Sequence, residues 1–446
     1  MIFEDLNLNK PLLKALEELD YIYPTPIQEQ AFSVIMSGAS VVGIAQTGTG
    51  KTFAYLLPLL RMLPFSNQRD PRVLIIAPTH ELVMQILEEV QKLTKYTGLR
   101  SLGIYGGANI SKQKQAVYDG TDIIVATPGR FIDLALTGVL GLKSIQKLVI
   151  DEVDEMMSLG FRTQITNLLG MLPEKRQNLM FSATLTPEVE ELINLSFSYS
   201  TKIEIAPHGT PLDQILQKAY HVPNFNTKVN LLEYLLTKNE DLSKVLIFVS
   251  TKKLADRLYE KMNEILPNQF GVIHSNKAHN TRVNAVNQFV DGTHRALIST
   301  DVIARGMDIS DVSHVINFDL PETQGDYLHR IGRTGRADKV GIAISFINEM
   351  EEKFQLEIEV LMEKEIPLLE LPEDLIISEI YGQDERPDEN EDKGYLKRPN
   401  FKVSQGAFHE KSEKNKQVNS GSPSKKRRVY TKGGKRKHKR PEQKNY

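Results

Sequence analysis

Cysteine is absent from the 446 residues, which excludes disulfides, thiolate zinc sites, iron–sulfur clusters and a cysteine nucleophile together. Glycine and proline number only 28 and 21, too few for a collagenous or low-complexity chain. No apolar run reaches the roughly 18 residues that a membrane span needs. The opening MIFEDLN has neither the basic nor the apolar region of a signal peptide, so a cytoplasmic protein is expected. Net charge is nearly missing as well, because 55 Lys and Arg against 57 Asp and Glu leave −2. That balance is a cancellation of unlike blocks. Residues 351–393 carry 16 acidic and 4 basic side chains, whereas 411–446 carry 14 basic and 2 acidic. A basic block of this kind points to a polyanion, with nucleic acid foremost.

What is present is a βα rhythm. At roughly 150 residues per domain the length allows two or three domains. Apolar runs at 41–44, 73–77, 123–126, 148–150, 179–181 and 203–205 alternate with stretches of helical spacing. They are too apolar for strands with one wet face and fit a parallel sheet covered by helices on both sides. A turn-rich PHGTPLDQ interrupts the pattern, which restarts with runs at 245–249, 270–273, 296–299, 315–318 and 342–346. A helix-compatible segment at 349–364 closes the second set. The expected architecture is α/β: a first doubly wound domain over 1–206, a linker over 207–216, a second domain over 217–372 and an acidic-then-basic tail over 373–446, disordered from about residue 383 for want of apolar residues.

Ligands of open parallel sheets bind beyond the carboxyl ends of the strands. After the first run comes AQTGTGKT, residues 45–52, a phosphate-loop pattern with Ala45 at the place of its first glycine. Gln46, Thr47, Gly48, Thr49 and Gly50 form the turn in which backbone amides wrap phosphate oxygens. Lys51 supplies a cation to the β and γ phosphates, Thr52 a hydroxyl to Mg²⁺, and the following helix points its positive end at the anion. After the run at 148–150 comes DEVD. Asp151 is placed to hold Mg²⁺ through water and Glu152 to orient or deprotonate an attacking water. The second set has no such loop but has HRIGRTGR, residues 329–336. A helical i, i+3 spacing would put Arg333 and Arg336 on one face, suited to gripping a γ-phosphate presented by the other domain.

From Phe3 to about Phe346 these residues resemble the DEAD-box family of ATP-dependent RNA helicases. YIYPTPIQ (21–28) is similar to the family's adenine-reading motif, and APTHEL, the Gly106 and Gly107 pair, TPGR, SAT, LIFVST and STDVIARGMD follow in the family's order. The resemblance implies two RecA-like domains in tandem that bind ATP and Mg²⁺ and separate short RNA duplexes locally. It implies that Tyr21 stacks on adenine, Gln28 reads its polar edge, Phe3 supports that pocket and Asp308 reaches the ribose. Thr79, Gly107, Thr127, Arg130 and Thr300 would contact the RNA backbone, with little sequence preference. Ser182 and Thr184, with His329, would couple hydrolysis to RNA binding.

The chain departs from the family pattern at several positions. Val153 stands for the usual Ala, where a packing change with little effect on hydrolysis is expected. His80 stands for Arg, so a weaker RNA grip, partly recovered below about pH 6.5, is expected. His279 stands for Gln, with Arg282 kept. Asp20 and Ser275 occupy positions that are often Gly, which bears on backbone conformation. The basic tail, with KKRR (425–428) and KRKHKR (435–440), is read as an RNA tether. As a flexible coil its last 36 residues span about 33 Å. A bacterial protein with a monomeric core is expected from the same resemblance. Two other readings stay open: a phosphate-loop ATPase acting on something other than RNA, and an RNA chaperone that anneals strands through its tail.

Overall fold

The computed structural model describes residues 1–45, 48–197, 199–205, 215–301, 309, 312–335 and 340–381, the His279 side chain excepted. The first seven strands are β1 (Val41–Ile44), β2 (Val73–Ile76), β3 (Ser101–Ile104), β4 (Ile123–Ala126), β5 (Lys147–Ile150), β6 (Gln177–Ser182) and β7 (Thr201–Glu204). They form one sheet in the order β3-β4-β2-β5-β6-β1-β7, every pairing parallel. The apolar runs account for this arrangement. Along β2, Val73 and Ile75 enter one core cluster while Leu74 and Ile76 enter another on the opposite face, as the two-residue period of a strand requires. All four are buried, and each such side chain stabilises the sheet by about 1.5–3 kcal/mol.

The second sheet repeats the plan. Its strands are β8 (Ile215–His221), β9 (Val245–Phe248), β10 (Phe270–Ile273), β11 (Ala296–Ser299), β12 (His314–Asn317), β13 (Gly341–Ile347) and β14 (Leu368–Leu369), in the order β10-β11-β9-β12-β13-β8-β14. The helix expected at 349–364 runs from Glu352 to Met362 after a short 3-10 turn.

Two differences from the sequence reading stand out. The expected linker 207–216 ends early, because β8 already begins at Ile215; the rest of that segment lies outside the described residues. The chain also does not leave the second domain at residue 372. Leu371 and Leu375 pack on the core, and side chains of the helix Phe225–Lys238 and its cap hold the following backbone: Asn224 Nδ2 donates to the Ser378 carbonyl at 2.6 Å and Asn230 Nδ2 to that of Ile376 at 2.7 Å. Amide side chains here supply the donors that a sheet would, a pattern without a sequence period. The expected disordered region from about 383 lies outside the described residues.

At the amino ends of three strands a single carboxylate ties the first sheet. Asp122, just before β4, accepts from Arg72 Nη2 at 2.7 Å and from Arg100 Nε and its backbone N, both at 3.0 Å. Arg72 immediately precedes β2, and Arg100 precedes β3. Burial raises the Asp122 carboxyl, but the Arg100 and Arg72 hydrogen bonds outweigh it and hold the group below the usual carboxylate range. Because the folded value is the lower one, this contribution is full above the unfolded value and is lost as pH falls through the folded one. Asp122→Asn should therefore lower the stability of the first domain by about 3 kcal/mol at neutral pH, read from urea unfolding. The gap between parent and variant should narrow in acid.

Candidate active site

Parallel strands point their carboxyl ends the same way, so the sequence-selected residues of the first domain meet along one edge. Ala45 follows β1, Thr79 follows β2, Gly107 follows β3, Thr127 follows β4, Asp151 follows β5, and Ser182 ends β6 with Thr184 just beyond. Gly50, at φ +85°, starts the helix Lys51–Met62. A Cβ there would stand 2.3 Å from Gln28 Nε2, so only glycine fits both the conformation and the space. Gly48 is likewise left-handed at φ +81°. Gln46 and Thr47 lie outside the described residues, and Thr49 lies in the turn before Gly50.

Lys51 is 6% exposed, and its ammonium has no hydrogen-bond partner among the described residues. A buried cation without a donor's partner, next to glycine-held amides at a helix start, fits a polyphosphate. Asp151 is buried at the end of β5; its Oδ2 accepts from the Tyr55 hydroxyl at 2.8 Å and its Oδ1 from the Glu152 N–H at 3.0 Å. Burial raises the Asp151 carboxyl, opposed by Lys51 and these two donors. Burial also pushes Glu152 up to about 7, with Asp151 adding to the shift and Lys51 and Arg333 opposing it. Glu152 has φ 50° and ψ 55°, a conformation costing a non-glycine residue about 1–3 kcal/mol and concentrated at functional sites. Thr52 and Asp151 provide the hard oxygen donors that Mg²⁺ takes when it is shared with phosphates. The residues present thus fit the ion as well as the nucleotide.

Asp154, the last residue of DEVD, is the hub of the second layer. Its Oδ2 accepts from the Thr184 N–H and hydroxyl, both at 2.8 Å, and from the Ala183 N–H at 3.2 Å, while its own N–H donates to Ser182 Oγ at 3.3 Å. His329 Nε2, from the second domain, stands 3.9 Å from the same oxygen. Burial raises Asp154, but His329, Lys51 and the Thr184 hydrogen bond bring it below its usual value. Arg282 Nη1 meets Glu81 Oε1 at 2.5 Å, a second link between the domains.

The arginine segment departs from the expected geometry. The helix Gln324–Ile331 ends with Gly332 as its cap, and Thr334 Oγ1 then donates to the Val312 carbonyl at 2.6 Å. Arg333 therefore sits in a turn beyond the helix. Its charge still acts on Glu152. Arg330 is spent internally, bidentate on Asp301 at 2.6 and 2.9 Å. Arg336 and Asp308 lie outside the described residues.

Tyr21 is half exposed and meets Phe53 edge-on at 5.1 Å, whereas Phe3 is buried. Gln28 is 5% exposed and committed: Oε1 accepts from Thr25 N at 2.9 Å and Nε2 donates to the Gly50 carbonyl at 3.1 Å. It holds the phosphate loop to the helix Pro26–Met36. Among the residues assigned to RNA, Gly107 is exposed at φ +83°, with open space about it. Thr79 is buried and caps the helix His80–Thr94 through Leu82 N at 3.2 Å. Thr127 is half-buried at the start of the helix Pro128–Leu136. Arg130 Nη1 donates to the Ala108 carbonyl at 2.9 Å and Gln113 Oε1 at 3.1 Å, so it props the loop bearing Gly107. Thr300 is buried after β11.

The departures also find places. Val153 is fully buried. His80 stacks on Tyr105 with centroids 3.8 Å apart. Asp20 has φ 57°, the conformation glycine favours. The sequence reading missed Tyr55, Asp154 and the Glu81–Arg282 pair. For Tyr55 a signal existed: three residues after Thr52, it shares a helix face with it.

Comparison with known proteins agrees with this geometry. A family model described as DEAD/DEAH box helicase matches residues 25–192, and one described as Helicase conserved C-terminal domain matches 227–338. ATP-dependent RNA helicase RhlB of Pseudomonas putida is 38% identical over 387 residues, covering 84% of this chain and 96% of that one. The chain belongs to the DEAD-box family of ATP-dependent RNA helicases. DEAD-box ATP-dependent RNA helicase 30 of Arabidopsis thaliana is 38% identical over 80% of this helicase, which spans 61% of that relative. A solved structure of S. cerevisiae Dbp5 bound to RNA and ADP BeF3 superimposes with TM-score 0.75 at 30% identity, covering 83% of this helicase and 96% of that chain. Two seven-stranded parallel sheets in tandem are thus the RecA-like pair. In this helicase Gly50→Ala should abolish ATP binding in equilibrium titration while leaving the melting temperature within about 4 °C of the parent.

Proposed function

We propose that ATP binds between the glycine turn and Asp151 and is hydrolysed only when RNA holds the two domains together, so that each turnover opens a short duplex and releases it. The observation that carries this reading is the meeting of the second domain's His329 and Arg333 with the charge cluster of DEVD. Lys51 would bind the β and γ phosphates, Thr52 and Asp151 would hold Mg²⁺, and Glu152 would orient the attacking water and take its proton. When bound, Mg²⁺ supplies charge neutralisation between the phosphates. Arg333 would face the γ-phosphate from the second domain. Thr184 and Ser182, fixed on Asp154, would pass the state of the nucleotide to the strand-end loops bearing Gly107, Thr127 and, across the cleft, Thr300. Dbp5, bound to RNA and ADP BeF3 in the solved structure, supports this assignment by its likeness.

We place the basic tail as a second, weaker RNA contact, with a monomeric core in the cytoplasm. Generic single-stranded RNA should stimulate the ATPase of the parent severalfold, whereas Lys51→Ala and Glu152→Gln should lose at least about 100-fold of kcat with or without RNA. Turnover without RNA stimulation would overturn the RNA-coupled reading, and strand annealing that survives Glu152→Gln would favour an annealing protein. Ending the chain after Gln383 should weaken RNA binding and flatten its dependence on salt, because counterion release scales with the phosphates neutralised. ATPase at saturating RNA should change little.

A further inference from the structure

Tyr55 lies one turn along the helix that begins at Lys51, fully buried and packed against Phe181 with ring centroids 5.3 Å apart. A phenol in such a place needs a partner for its hydroxyl, and the core around it is otherwise apolar. Its partner is a residue assigned to the metal: the hydroxyl donates to Asp151 Oδ2 at 2.8 Å. We propose that Tyr55 is a positioning residue for the Mg²⁺ site, orienting Asp151 from the core side. This rests on the assignment of Asp151 to the ion made above.

The orientation follows from donor and acceptor counts. An ionised carboxylate only accepts and carries lone pairs on both oxygens, and the Tyr55 proton goes to one of them. One Asp151 oxygen is thus held by Tyr55 and the other by the Glu152 N–H. The carboxylate plane is fixed, and each oxygen keeps lone-pair capacity for the ion or its water. Removing the hydroxyl alone leaves the ring and its packing, but frees Asp151 to rotate. Partners behind metal ligands commonly control metal affinity by about 10–100-fold.

The test is equilibrium binding of a fluorescent methylanthraniloyl ATP to the full chain, begun in EDTA and titrated with MgCl₂, for the parent, Tyr55→Phe and Lys51→Ala. Tyr55→Phe should need about tenfold more Mg²⁺ for half of the Mg²⁺-dependent gain, with affinity in EDTA unchanged. Introduced into Asp151→Asn, the same change should shift the Mg²⁺ titration far less, since the phenol then has no carboxylate to hold. An unchanged Mg²⁺ midpoint in Tyr55→Phe overturns the proposal. Equal weakening with and without Mg²⁺ also overturns it, because that is the mark of a packing role. If Tyr55→Phe does not fold, Tyr55→Met serves the same titration with the same two outcomes. Should the parent itself gain nothing from Mg²⁺, or Lys51→Ala bind as the parent does, the site assignment fails and the proposal with it.

Discussion

Burying negative charge is the constraint from which the rest of this site follows. Asp151, Glu152 and Asp154 stand within four residues at the end of one interior strand, with Asp151 and Asp154 nearly inaccessible to water. Carboxylates in such a place are costly unless cations and donors surround them. The first domain supplies one cation, Lys51, and a ring of donors from Tyr55, Thr184 and backbone amides. Burial still outweighs them at Asp151 and Glu152, whose carboxyls stay above their usual values. The second domain adds opposing charge, Arg333 on Glu152 and His329 on Asp154. The carboxylate cluster thus depends on charges from both domains.

That dependence gives the strained backbone of Glu152 a meaning. A non-glycine residue in the left-handed region persists only where its surroundings over-determine it. Here the Asp151 carboxylate accepts from the Glu152 N–H itself, and the helix Val153–Ser158 starts at once with buried Val153 and Asp154. Asp154 must face Thr184 while Asp151 faces Tyr55, and the left-handed turn at Glu152 reconciles these two directions within three residues. The substitution of Val for the family's Ala at 153 falls on the apolar side of that turn. It adds apolar volume to the core and touches none of the polar contacts.

Much of the fold was legible because buried parallel strands advertise themselves. Runs such as VLII at 73–76 and IIVA at 123–126 are apolar on both faces and have few other readings. The strands that escaped were β3, β8 and β14. Two of them are sheet edges, and β8 alternates buried with exposed residues, so none presents a continuous apolar run. The catalytic core of the site was legible for a related reason, since loop chemistry at strand ends is local in sequence. What was not legible is everything that depends on a partner far along the chain: Arg282 on Glu81 across 201 positions, Asn224 on the Ser378 carbonyl across 154, and the end of a helix at Gly332, after which Thr334 bonds the Val312 carbonyl.

The same long-range partners qualify how this enzyme holds RNA. Arg130 and Thr79 are both engaged in the structure, one propping the loop that carries Gly107 and the other capping a helix. His80, beside Thr79, lies flat on Tyr105 rather than reaching outward as a guanidinium would. Among the described residues, the surface along the strand ends is thus shaped mainly by backbone amides and helix starts. Contacts of that type fix a sugar-phosphate chain in register without reading bases, and they attract it only at short range. The sequence keeps its dense positive charge, 14 basic residues among the last 36, away from the motif-bearing segments. On the function proposed above, capture and remodelling would fall to different parts of the molecule: the tail would raise the local concentration of any RNA, while a strand seated along both sheets would bring the second domain's charges to DEVD.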